Sequence, residues 1–235
     1  MAQRIVFLPR IDESGVLFNE HEVTFDWVAG MSKSQNQKWI RNLHQSATEQ
    51  LGIERLLEIS SRSERSLGVE LSAFNLKLQL EDIPVSVECI YQGSKVFESG
   101  GPYIDLYSSS SKEAKQDPRL KSSGNLTHFE FKSQVWELSD SPNFYDYLYI
   151  LALSDLRKSR ELLEFEGFSD FAYSQTGAKR AHGKSFNCQA RSAAMYVSLI
   201  RLEQLEKYLA NPSGFVPVSG STLQVENNQL DLFGA

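Results

Sequence analysis

The stretch "VECIYQGSKVFESGGPY", residues 87–103, sets three hydrogen-bonding side chains into an apolar run. Read as a helix over residues 86–99, it puts Glu88, Gln92 and Lys95 at i, i+4 and i+7, one stripe on one face. Val87, Cys89, Ile90, Tyr91, Val96 and Phe97 cover most of the remaining circumference, the pattern of a buried helix. A carboxylate and an ammonium group buried together are costly unless paired and hydrogen-bonded. Two readings follow. The stripe is an ion-pair network that fixes a core, or it lines a cavity where a lysine amine of lowered pKa forms a Schiff base and a carboxylate moves the protons. Gly100–Gly101–Pro102 ends the run and lets backbone approach a ligand closely.

Upstream, residues 3–8 and 22–28 are rich in β-branched and aromatic side chains and read as strands. Residues 32–52 read as a helix capped by Ser32 or Ser34, with Trp39, Leu43 and Ala47 on its apolar stripe and Gly52 at its end. "RLLEIS", 55–60, is a short apolar segment, and "LKLQLED" is an alternating strand that breaks between Asp82 and Pro84. Downstream, a short helix over 108–116 halts before Pro118. "THFEFKSQVWEL", 127–138, alternates with period two on both sides of Lys132–Ser133 and reads as a hairpin. Residues 143–167 give two helices with a break between Ser154 and Arg157. Residues 187–210 give the last helix, with Ala190, Ala194, Val197, Leu199 and Leu202 on its inner side.

The 235 residues suffice for one substantial core, and 41% hydrophobic with 11% aromatic residues is a globular composition. No apolar run reaches the length of a bilayer span, and the first residues lack the apolar core of a signal peptide, so a cytoplasmic chain is expected. Cys89 and Cys188 fit no metal spacing or disulfide framework. A net charge of −6 argues against coating nucleic acid through bulk electrostatics. One local basic patch exists. "GAKRAHGKSFNCQAR", 177–191, carries Lys179, Arg180, Lys184 and Arg191 with no acidic residue, either an ordinary solvated loop or one that contacts phosphates.

The run "VECIYQGSK" resembles the E-h-x-x-Q-x-x-K helix of the NADAR family, whose members process N-glycosidic ADP-ribose and related ribosyl compounds. "LSAFNL" (71–76) is similar to that family's FSNF-type strand, and residues 144–173 to its closing block of two helices followed by D-x-x-W. "GMSKSQNQKWI", "LLEISSRS", "YQGSKVFESGGPY" and "NCQARSAAMY" resemble one branch, the antitoxins paired with DarT toxins that ADP-ribosylate guanine in DNA. The likeness spans residues 4–205. It implies that Lys95 opens the distal ribose and forms a Schiff base at its anomeric carbon, that Glu88 shuttles protons, and that Asp170 positions ribose hydroxyls or water. "DFAY" departs from the family's D-x-x-W-G: Tyr173 stands for the Trp and the glycine is lost. Around these, Phe74 and Asn75 are expected to wall the site, unless Phe74 is a core side chain, with Gln92, Gly100 and Gly101 beside them. Tyr103 would stack on a base; Tyr145 and Tyr147, with Asp146 on the same helix, would line the pocket with one aromatic face or else pack in the core. Asn187, Gln189 and Arg191 open the last helix, where backbone amides favour a pyrophosphate. Lys179, Arg180 and Lys184 would contact DNA. His44, His128 and His182 form no ligand set. Breaking a glycosidic bond needs neither nicotinamide nor metal, and no cofactor is implied.

From Asn211 the composition turns to Pro, Gly, Ser and Asn, the mark of a tail. It carries "QLDLF", 229–233, which resembles the Q-L-[SD]-L-F peptide by which bacterial polymerases and repair proteins dock on the sliding clamp. Gln229 would make a polar contact, while Leu230, Leu232 and Phe233 supply the apolar ones. The alternative is a tail that folds back on its own domain.

The expectation is an α+β protein, mainly helical: a NADAR-like catalytic domain over 1–210 with small antiparallel β-sheets, and a flexible C-terminal tail over 211–235. The expected function is an antitoxin glycohydrolase that removes ADP-ribose from guanine in DNA and opposes a DarT toxin, as a monomer. Two alternatives stand beside it. One is an N-glycosidase acting on a small ribosylated metabolite, such as a phosphoribosyl pyrimidine of riboflavin synthesis. The other is a non-catalytic module that binds ADP-ribose or the clamp.

Overall fold

The computed structural model describes residues 1–12, 16–30, 32–138, 141–171, 173 and 187–212, with side chains of 141–143 excepted. The basic residues Lys179, Arg180 and Lys184, and the 229–233 peptide with Gln229, Leu230, Leu232 and Phe233, lie outside the described residues. So does almost all of the 211–235 tail.

β1 (Ala2–Pro9) and β2 (Phe18–Phe25) form an antiparallel ladder from Ala2↔Phe25 to Pro9↔Phe18. Successive side chains of β1 leave opposite faces, and both faces are buried: Val6 lies in one apolar cluster and Phe7 in another. α1 (Lys33–Leu51) covers the Val6 face with Trp39, Ile40, Leu43 and Ala47. Its Ser32 cap accepts a hydrogen bond from the Gln35 N–H, and Gly52 ends it at φ +69. The sheet is completed by β3 (Leu56–Glu58) and by β9 (Gly167–Ser169), which pairs antiparallel with β1 and parallel with β3, in the order β2-β1-β9-β3.

The second cluster holds the helices around Glu88 and Asp146. α6 (Ser141–Asp155) and α7 (Gln189–Arg201) pack on one another, and α7 packs on β1 and β9. A hairpin of β4 (Lys77–Leu80) and β5 (Ile83–Ser86) leads into α3 (Val87–Gly93) through its Ser86 cap. Between β3 and β4 lies the short helix α2 (Ser66–Glu70). After α3 come β6 (Lys95–Phe97), a 3-10 turn (Ile104–Ser108), α4 (Ser111–Gln116) and α5 (Arg119–Ser122). β7 (Leu126–Phe131) and β8 (Gln134–Glu137) follow and form a three-stranded sheet with β6. The fold is α+β, as expected. Among the described residues no helix is long and apolar enough to cross a membrane.

The structure corrects the sequence reading in several places. The 86–99 helix stops at Gly93, and Lys95 begins a strand. A Cβ at position 93 would lie 2.6 Å from Tyr107 Cε1 and 2.9 Å from the Tyr103 carbonyl, so the chain is pressed against the following turn here. Strand β2 runs over 18–25 instead of 22–28. The break after "LKLQL" is a two-residue turn at Glu81–Asp82, and the chain resumes as β5. The 187–210 helix divides into α7 and α8 (Leu205–Ala210), with Glu203 at φ +55 between them. After the expected break at Leu156, residues 157–164 wind as a 3-10 helix.

Gly101 shows what the double glycine does. Its φ is +97, and a Cβ there would stand 2.2 Å from the Lys95 carbonyl oxygen. The backbone that approaches it closely is the protein's own, on the strand that bears Lys95. Gly101→Ala is therefore expected to lower stability by about 2–4 kcal/mol, from strained φ and a backbone clash. A urea unfolding midpoint measures it; a wild-type midpoint would contradict this account of the turn.

Candidate active site

α3 and the start of β6 bring three of the expected groups into one chain of hydrogen bonds. Lys95 Nζ donates to Gln92 Oε1 at 2.7 Å, and Gln92 Nε2 donates to Glu88 Oε1 at 2.9 Å. Glu88 is 6% and Gln92 7% exposed, so both ends of the amide are committed away from water. Gln92 is thus a fixed bridge, its oxygen toward the amine and its nitrogen toward the carboxylate. The Lys95 ammonium lies 4.9 Å over the Tyr91 ring. Burial pushes its pKa down to about 8; the Glu88 charge opposes the shift and the Lys115 charge adds to it. Lys115 Nζ stands 3.6 Å from Glu88 Oε1 and 5.0 Å over the Phe74 ring, on the exposed side. α4 carries it, under a capping box between Ser110 and Glu113. Sequence reading passed over Lys115, because the 108–116 segment alone does not say what it packs against.

Asp170 follows β9 and belongs to the same neighbourhood. Burial, and after it the charges of groups that include both Glu88 and Asp170, raise the Tyr145 hydroxyl of α6 well above the usual range. Tyr145 also meets the Tyr91 ring edge-on at 5.4 Å. Gln189 donates to Asp170 Oδ2 through its backbone N–H and its side-chain amide, each at 3.2 Å, while its Oε1 accepts from Ala73 N. Gln189 is thereby a brace between Asp170 and the 71–76 segment.

Behind Asp170 stands a carboxylate that sequence reading missed. Glu58 is 2% exposed, and its oxygens accept from Ser169 Oγ (2.5 Å) and Phe171 N (2.7 Å), the residues either side of Asp170. Burial, then the Asp170 charge, raise Glu58 to about 7. His44 Nε2 is 2.8 Å from Ser169 Oγ, and burial, with the nearby Arg65 charge, lowers it to about 4. The available signal was a lone acid inside the apolar "LLEIS" run.

The remaining candidates are placed as follows. Phe74 is half-buried under Lys115, while exposed Asn75 donates to the Val69 carbonyl and closes its own turn. Tyr103 hydrogen-bonds Ser123, and the Arg119 guanidinium lies 4.4 Å over its ring; a Cβ on Gly100 would meet its hydroxyl. Tyr147 stacks on Trp136 at 5.0 Å. Asn187 is half-buried at the approach to α7. Arg191 is committed to α6: its guanidinium donates to both oxygens of fully buried Asp146, at 3.3 and 2.9 Å, and Ser192 Oγ donates to the same carboxylate. Among the described residues no three His, Cys, Asp or Glu are grouped to hold a metal ion.

Two predictions follow from these pairs. Breaking a buried ion pair leaves an uncompensated charge, so Arg191→Met should cost about 3–5 kcal/mol of stability; a change below ~1 kcal/mol would free Arg191 from the structural role. The second concerns pH. The raised Glu58 contributes stability that is full below about 4.5 and lost as pH rises through about 7. The lowered His44 contributes stability that is present above 6.5 and lost as pH falls through about 4. Between about 4.5 and 6.5 the two slopes oppose. Glu58→Gln removes one, so its stability should rise toward neutral pH by about 2 kcal/mol more than the wild type's does. Chemical denaturation at both ends of that window reads the difference, and equal slopes would refute the assignment.

A family model for the DarT1-associated NADAR antitoxin matches residues 2–229. No curated protein matches the chain. The match covers nearly all of the sequence, including the Glu88–Gln92–Lys95 chain and Asp170, and the chain belongs to the DarT1-associated NADAR antitoxin family.

Proposed function

We propose that this antitoxin is a glycohydrolase that removes ADP-ribose from guanine in DNA, with Lys95 as nucleophile. The observation that carries the reading is the Lys95 amine, drawn down to about 8 and bonded to an amide oxygen instead of a carboxylate. A desolvated lysine releases its proton near neutral pH and can attack an anomeric carbon. Two of its hydrogens then leave: one goes to the ring oxygen as the ribose opens, the other to the guanine nitrogen as the carbon–nitrogen bond breaks. An imine joins Lys95 to the sugar. Water adds to that carbon, the lysine nitrogen departs as an amine, and ADP-ribose is freed.

Glu88 carries protons between these steps, with Gln92 holding it at a set separation from the amine. Asp170, braced by Gln189 and backed by Glu58, orients ribose hydroxyls or the water. The partner is a DarT toxin, opposed through its product. Lys179, Arg180 and Lys184 would contact the DNA backbone, and the 229–233 peptide would dock on a sliding clamp.

An oligonucleotide with one ADP-ribosylated guanine tests the reading. Wild-type protein should release ADP-ribose, with a rate that climbs through about pH 8 as the amine loses its proton. Lys95→Ala should lose about 10³-fold or more, and Glu88→Gln about 10²–10⁴-fold. No release by the wild type would move the substrate to a small ribosylated metabolite. Undiminished release by Lys95→Ala would remove the nucleophile.

A further inference from the structure

Among the described residues Glu88 has two cationic neighbours, and they are not equivalent. Lys115 reaches it directly, Nζ to Oε1 at 3.6 Å, from a side chain that is 57% exposed. Lys95 reaches it only through Gln92, whose amide stands between them. Among the described residues, the Lys95 ammonium has the Gln92 oxygen and the Tyr91 ring as partners and no carboxylate within ion-pair distance. Two cations therefore share one anion, and the anion is held by the cation that water also solvates. The half-buried cation, Lys95, has the weaker claim, so it is the one that gives up its proton.

We infer that Lys115 is a positioning residue for this site: its ammonium group occupies Glu88 from the solvent side and leaves Lys95 the free amine. The inference rests on the proposed role of Lys95. The other groups around Lys95 do not supply that charge. Tyr91 offers a ring face and Gln92 a neutral amide. Across the β6–β7 ladder Lys95 faces Phe129, so His128 and Glu130 project to the opposite side and pair with each other at 2.9 Å. Tyr107 of the following turn meets Ser94 Oγ, and Tyr145 lies toward Glu88 from α6. Among the described residues that leaves Lys115 as the second cation, and its charge adds to the effect of burial on Lys95. Placing a lysine beside another cation is a general means of making it nucleophilic at neutral pH.

The test titrates Lys95 without any substrate. Trace acetylation by acetic anhydride across neutral to alkaline pH, read by mass spectrometry on the peptide that holds Lys95, gives the midpoint of amine release. Lys115→Met should raise that midpoint by about half a pH unit or more, while Lys115→Arg should leave it near the wild-type value. The pH–rate profile of ADP-ribose release should move by the same amount in the same direction. An unchanged midpoint in Lys115→Met overturns the inference. An equal rise of the midpoint in Lys115→Met and Lys115→Arg also overturns it, because shape and not charge would then matter. Absence of ADP-ribose release by the wild type would defeat the proposed function and leave the acetylation result standing.

Discussion

The candidate site turns on a partly buried lysine amine that, among the described residues, has no carboxylate in direct contact. An ammonium group in an apolar setting costs several kcal/mol unless it is paired or neutralised. Here it is given an amide oxygen and an aromatic face, the second of which favours a cation only weakly. Everything close to Lys95 serves that arrangement. Gly93 allows the helix to end against Tyr107, Gly101 allows the return loop to lie on the Lys95 carbonyl, and Gln92 holds Glu88 one side chain away.

A second constraint fixes the Asp170 end of the candidate site. Asp170 directly follows β9, between Ser169 and Phe171. Glu58 holds Asp170 in place by bonding Ser169 and Phe171, the residues before and after it, and Gln189 braces the Asp170 carboxylate. Glu58 comes from β3, whose parallel pairing with β9 is the long-range contact that makes the grip available. The Asp146–Arg191 pair does similar work between α6 and α7. Buried polar groups of this kind are costly when half satisfied, and each of these has its partners.

Much of this was legible in the sequence, and the failures have identifiable causes. The caps of α1, the Lys132–Ser133 turn and the α3 stripe were readable because their signals are local. The length of α3 was not. Val96 and Phe97 suit a strand as well as a helix, and the contact that stops the helix at Gly93 comes from Tyr107, which no periodicity reveals. The Lys95–Gln92 relation nevertheless survives, since three residues span the helix end as readily as a helical turn. Glu58 was missed because a three-residue strand has no period, and its partner strand begins more than a hundred residues later. Lys115 was missed for the same reason: its meaning lies in what α4 faces.

The central claim is that Lys95 acts as a nucleophile and becomes bonded to the sugar. Borohydride reduction during turnover of the ADP-ribosylated oligonucleotide tests it most directly, followed by mass analysis of the tryptic peptides. The account predicts a stable adduct with the mass of ADP-ribose less one oxygen, on the peptide containing Lys95, and none in Lys95→Ala. Turnover with no adduct on that peptide would contradict the account and return the reaction to direct attack by water.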